Sequence, residues 1–233
     1  MERSKKNKHY NNYNKNNHKK PIYYGIHLEI ETEKKLLESL QNSINLILSE
    51  HKEDFNSIYE TISELIKRYD EAKKGNENNN KSNVMIEVNK MKYPKSFHIT
   101  LAFGGKKGFD KNSEAVQEFE PGLDVDIRIL GLVVVPNKMV IVPVDGNFKS
   151  DNKFPHFTTF IGDLKPVQSN EILENIFDKG KEMEDDYNKI LNAKIEECFK
   201  KIKVKIEGEE FDGFVYLTLK YDDLKGRMKE YFY

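Results

Sequence analysis

Five short apolar runs between residues 84 and 162 constrain this chain more than any other feature: Val84–Val88, Phe97–Phe103, Val125–Val135, Met139–Val144 and Pro155–Gly162. Their lengths and their β-branched and aromatic content fit strands. Pro136-Asn137-Lys138 sits between two of them and reads as a hairpin turn. An earlier stretch, Tyr23 to Ile30, places Tyr24, Ile26, Leu28 and Ile30 on one face, the period-two pattern of another strand. Lys203–Glu207 and Phe214–Leu219 suggest a closing hairpin around GEEFDG.

Helical spacing appears between and after these runs. Leu36, Leu37, Leu40, Ile44, Ile47 and Leu48 recur at three or four, and Phe55 to Tyr69 repeats the pattern more cleanly. Ile172, Leu173, Ile176 and Phe177 suggest a third helix. Met183, Tyr187, Ile190, Leu191, Ile195, Cys198, Phe199 and Ile202 suggest a longer fourth. Strands and helices mix without strict βαβ alternation, so the expected class is α+β with mainly antiparallel sheet.

Residues 1–20 are Asn/Lys-rich, carry a formal charge of +6, and have no apolar period, which predicts a disordered tail. The remainder of the 233 residues carries −7. A basic tail on a mildly acidic body can hold a polyanion loosely, or it can be a solvated linker. Residues 21–233 are expected to form one folded unit, with a mobile polar loop over 73–83. One cysteine excludes an internal disulfide framework and a Cys-rich zinc site. No run of 18 apolar residues suits a membrane span, and no apolar h-region opens the chain. The expected setting is intracellular, cytoplasmic or nuclear.

The residues with chemistry to offer come as a pair. Phe97-His98-Ile99-Thr100-Leu101 and Pro155-His156-Phe157-Thr158-Thr159 each place His-apolar-Thr inside a strand-like run. With six His and six Thr in the chain, about 0.15 such triplets are expected by chance, so two call for a cause. Side chains two apart on a strand share a face, so each His points with its Thr. On the first run Phe97, Ile99, Leu101 and Phe103 take the other face. On the second, strict alternation would put Phe154 and Phe160 beside His156 and Thr158.

Cleaving a phosphodiester needs a base for the nucleophile and an acid for the leaving oxygen, and histidine suits both near neutral pH. Threonine hydroxyls can donate to phosphoryl oxygens without a metal. Lys149, Lys153 and Phe154, just before the second motif, could meet an RNA backbone and base, or belong to a polar loop with buried aromatics. His27, on a strand face with Tyr23, Gly25 and Glu29, reads as solvent-facing, and Cys198 as core. Two motif histidines and one distant cysteine do not make a zinc set, so no metal and no cofactor is expected.

Two H-Φ-[ST]-Φ motifs on strands resemble the signature of the 2H phosphoesterase superfamily. His98-Ile99-Thr100-Leu101 matches fully, and His156-Phe157-Thr158 departs only in being followed by Thr159. The likeness covers roughly residues 21–220. Within the superfamily, YYGIHLEI and FHITLAFGG look most like the cyclic phosphodiesterase domain of fungal-type tRNA ligases.

This resemblance implies two lobes of antiparallel sheet facing a central groove, with helices outside. It implies catalytic His98, Thr100, His156 and Thr158, and hydrolysis of an RNA 2′,3′-cyclic phosphate end to a 2′-phosphate. His156 would serve as base and His98 as acid, roles that swap with substrate orientation. Partners would be RNA or an oligonucleotide, with ligase and kinase components separate, since the chain shows neither a P-loop nor a KxDG motif. Two other readings remain open: cleavage of 2′,5′-oligoadenylate or a cyclic oligonucleotide, and a non-catalytic RNA-binding module.

Overall fold

The computed structural model describes residues 20–50, 96–179 and 183–232, with Ser63, Glu64, Lys67, Glu71 and residues 87–88 and 91–92 between them. The expected tail (apart from Lys20), most of the expected helix over Phe55–Tyr69, and the loop 73–83 lie outside the described residues.

Strand β1 (Tyr23–Leu28) leads into α1 (Ile30–Glu50), which buries Leu36, Leu37, Leu40 and Ile44 along one stripe. The short pair β2 (Glu87–Val88) and β3 (Met91–Lys92) precedes β4 (His98–Phe103). A four-residue helix α2 (Glu114–Gln117), capped by the Ser113 hydroxyl, separates β4 from β5 (Asp124–Ile129), β6 (Gly131–Val135), β7 (Met139–Gly146) and β8 (His156–Ile161). Helix α3 (Gln168–Glu174) runs on into a π turn (Asn175–Lys179). Helix α4 (Glu184–Leu191) and strands β9 (Glu197–Ile206), β10 (Glu209–Thr218) and β11 (Leu224–Tyr231) follow.

All described strands join one antiparallel sheet in the order β2-β3-β8-β4-β1-β11-β5-β7-β6-β10-β9, and β7 also pairs with β8. That extra pairing closes six strands, β8-β4-β1-β11-β5-β7, into a ring. The two-lobed α+β architecture with helices outside is therefore not what forms; the described residues are mostly sheet, built on a closed barrel, with few helices among them.

The reason lies in β7. Its first six residues are buried, and it serves three neighbours. Its C-terminal half pairs with β5, its N-terminal half with β6, and its other edge with β8 over Met139 to Pro143. The expected single strand Val125–Val135 breaks at Gly131, whose φ of 153° suits glycine, and where a Cβ would lie 2.1 Å from the Tyr216 carbonyl oxygen. The break sends β6 away from the ring to β10.

A second correction concerns the long helix expected from Met183 to Ile202. Helix α4 stops at Leu191, Ala193 turns the chain at φ 52°, and Glu197 onward is strand β9. Ile202, Val204 and Ile206 alternate inward while Lys201, Lys203 and Lys205 face out. The Glu207-Gly208 turn then returns the chain as β10.

Two cores result. The first gathers one face of all six ring strands with α1, including Ile26, Ile99, Ile127, Val142, Phe157 and Met228. The second lies under α3 and α4, with Val133, Ile141, Phe177, Ile190 and Val215. No helix among the described residues is long and apolar enough to cross a membrane.

Candidate active site

Strands β4 and β8, which carry the two His-x-Thr motifs, are neighbours in the ring and run antiparallel, with Ile99 opposite Phe157. Both are fully buried in the first core, so the residues on either side of them face away from it. Continuing the register from that bridge puts His98 opposite Thr158, and Thr100 opposite His156. Directly opposed residues share a face, so all four side chains project from one side of one strand pair. The histidines occupy the diagonal, where neighbours lie about 7–8 Å apart and their Cβ atoms somewhat closer. Each threonine is half-buried.

The two strands repeat one local device. Pairing of β1 with β4 skips Leu101, passing from Ala102 to Thr100, so β4 bulges immediately after its motif threonine. Pairing of β7 with β8 skips Thr159, passing from Phe160 to Thr158, so β8 bulges at the same motif position. The second bulge explains what alternation left awkward. With one extra residue inserted, Phe157 and Phe160 enter the same core, and Phe160 is not beside His156. It also explains the departure at Thr159, whose buried hydroxyl donates to the Val140 carbonyl at 3.0 Å. Beside the first bulge, Gly25 approaches so closely that a Cβ would lie 2.7 Å from the Ile99 carbonyl oxygen.

Each imidazole is tied to the carbonyl two residues upstream, His98 Nδ1 to Ser96 at 3.4 Å and His156 Nδ1 to Phe154 at 2.7 Å. A carbonyl oxygen only accepts, so these bonds place the hydrogen on Nδ1 and leave Nε2 as the reactive nitrogen of the neutral ring.

Beyond that shared frame the surroundings differ. His98 is half-buried among rings: Tyr23 at 5.3 Å between centroids, His27 at 5.4 Å and Tyr231 at 5.8 Å. Burial holds its pKa below the ordinary histidine value, against the bond to Ser96. His156 is buried, 7% exposed, and its Nε2 lies 2.7 Å from the Ser169 hydroxyl on α3. Burial pushes its pKa down to about 4; the Phe154 carbonyl opposes that, and the charge of His98 adds to it. His156 thus feels the field of His98.

His27 is not solvent-facing. It is 8% exposed, pairs in register with His98, stacks on Tyr231 at 4.3 Å, and is pushed down to about 3 by burial first and by His98 second. Its Nε2 and the Tyr231 hydroxyl are buried without a hydrogen-bond partner among the described residues. The signal for Tyr231 was the alternation of Leu224, Gly226 and Met228 with Lys225, Arg227 and Lys229, which marks β11. Glu33, 1% exposed on α1, accepts the Phe97 amide at 3.0 Å and so fixes the start of the first motif strand. Neither Glu33 nor Ser169 carries a sequence signal, because each acts through a tertiary contact.

The remaining candidates lie in the β7–β8 loop. Lys149 pairs with Glu114 at 3.1 Å and Lys153 with Asp178 at 2.8 Å, both at the surface. Phe154 is 6% exposed, in the second core against Phe177 and Tyr187. The loop is also fastened to the first bulge: Asn152 donates to the Thr100 carbonyl at 3.0 Å, and the Asp151 amide to the Leu101 carbonyl at 2.7 Å. Among the described residues no three His, Cys, Asp or Glu side chains gather as a metal site.

No family model and no curated protein matches this chain. Among solved structures, a fungal RNA kinase is similar at 18% identity and a TM-score of 0.49, over 94% of this chain and 47% of that one. The chain thus spans about half the length of that protein.

Proposed function

We propose that the chain is a metal-independent phosphodiesterase that opens 2′,3′-cyclic phosphates at RNA ends to 2′-phosphates. The observation that carries this reading is the antiparallel bridge Ile99–Phe157, whose register sets two imidazoles on one diagonal and two hydroxyls on the other. A phosphoryl group seated between them has a proton-transfer group on each side. It also has a hydroxyl donor beside each. The resemblance to 2H phosphoesterases supports the same assignment.

In the step proposed, a water oxygen attacks phosphorus while its proton passes to His156, the P–O3′ bond breaks, and His98 gives its proton to the departing oxygen. Thr100 and Thr158 donate to the phosphoryl oxygens as charge builds on them. Burial disfavours the imidazolium in the free protein, and the negative charge of a bound phosphate restores it. RNA would be the macromolecular partner, and Lys149 and Lys153 its nearest cations on the loop.

The test offers RNA ending in a 2′,3′-cyclic phosphate, and separately 2′,5′-oligoadenylate, both in EDTA, with identification of products. The reading expects the cyclic end to open to a 2′-phosphate with the chelator present. Failure to open it contradicts the reading, as does activity lost on chelation and regained with Mg²⁺, Mn²⁺ or Zn²⁺.

A further inference from the structure

Ser169 stands at the start of α3 with 2% of its surface exposed, and its oxygen touches two partners. It lies 2.7 Å from His156 Nε2 and 2.7 Å from the Pro166 carbonyl oxygen. A hydroxyl has one hydrogen and two lone pairs, so it can serve both partners but can donate to only one. The Pro166 carbonyl has a second donor, the Ser169 backbone amide at 3.1 Å, so it stays satisfied whichever way the hydroxyl turns.

We infer that Ser169 is a proton-following rotor: its hydroxyl donates to Nε2 when His156 is neutral, and turns to Pro166 to accept from Nε2–H when His156 is charged. In both states Nδ1–H remains on the Phe154 carbonyl, so a buried imidazole can gain or lose a proton without stranding a donor or an acceptor. No bond to carbon or phosphorus changes; the hydroxyl turns from Nε2 to Pro166, which frees the single lone pair of Nε2 for a proton from the attacking water or from solvent.

The other groups around His156 act differently: the Phe154 carbonyl holds Nδ1–H in both states, and Thr100, opposite in register, is the donor assigned to the phosphoryl group in the proposed reaction. Across β4 it feels His98, which lowers its proton affinity. On the β7 side its register partner is Pro143, without an N–H or an ionisable side chain. From α3, Gln168 is neutral and its Oε1 accepts the Lys165 amide at 2.7 Å. In the loop that precedes its strand, Lys153 is paired with Asp178. The Ser169 hydroxyl is therefore the contact at Nε2 that can favour the imidazolium, beside the Phe154 carbonyl at Nδ1. It acts through His156, so it is a positioning residue. Its catalytic consequence rests on the proposed phosphodiesterase reading; its effect on the proton of His156 does not.

The experiment follows the His156 ring signals by NMR against pH in the wild-type chain, Ser169→Ala and Ser169→Thr. A bond to the charged form is the stronger of the two, so its removal lowers proton affinity. Ser169→Ala should titrate about one pH unit lower, a tenfold loss of proton affinity, while Ser169→Thr keeps the wild-type midpoint. The acid limb of kcat/KM should move with it. An unmoved or raised midpoint in Ser169→Ala, even with a lowered Tm, overturns the rotor and leaves Ser169 as a packing residue. A moved midpoint in a chain without phosphodiesterase activity supports the rotor and counts against the catalytic reading alone.

Discussion

His98 and His156 stand in matching backbone frames. Each precedes its threonine by two residues, each is held to a carbonyl two residues upstream, and each strand bulges just past the threonine. Outside that frame they part company. His98 lies against Tyr23, His27 and Tyr231 with part of its surface open. His156 lies under α3 with Nε2 on Ser169. The frame fixes what both rings can do, a neutral tautomer with Nε2 reactive. The surroundings decide when each ring accepts a proton. Two chemically identical groups placed in unlike environments are the usual route to separate acid and base roles.

The largest effect should come from the rings themselves. His98→Ala and His156→Ala should each lower turnover of a cyclic phosphate by about 10²–10⁴-fold, with circular dichroism unchanged. Wild-type rates in both variants would break the pairing of the two strands into one site. Next come the hydroxyls. Thr100→Ala and Thr158→Ala should each reduce kcat by about 10²–10³-fold, because a donor aimed at developing charge acts mainly in the transition state. A rise in KM alone would place these threonines in ground-state binding.

The last effect is on stability rather than rate. His156 and His27 titrate near 4 and 3 when folded, against 6.5 when unfolded. Between those values the unfolded chain binds protons that the folded one refuses. Stability is therefore full above about pH 6.5 and falls as the pH drops. Each histidine contributes about 1.4 kcal/mol per pH unit until its folded pKa is passed. Urea midpoints measured from pH 7 to 4 should show this decline, and His27→Phe should flatten it. An identical slope in that variant would mean His27 is not held neutral by burial.

Much of this was legible in the sequence and some was not, for separable reasons. The motif strands could be read because period two fixes which residues share a face, whatever packs behind them. The closed ring could not, because nothing local says that β7 will take three partners; that follows from the break at Gly131. Ile195, Cys198, Phe199 and Ile202 misled because a four-residue step such as Cys198 to Ile202 keeps one face in a strand as well as in a helix, while Phe199 falls on the opposite strand face and packs on the other core. The helical pattern also overran the turn at Ala193. At the site, the four motif residues were visible, while the burial of His27 and the hydroxyl on His156 depend on β11 and α3 arriving from elsewhere in the chain.

The claim on which the rest depends is that the two motifs form one phosphate site. NMR titration of the imidazole signals with a nucleoside 2′-phosphate tests it directly. The account predicts that the signals of His98 and His156 move together, with one dissociation constant and toward the protonated form. Movement of only one ring, separate dissociation constants, or no response from either would contradict it.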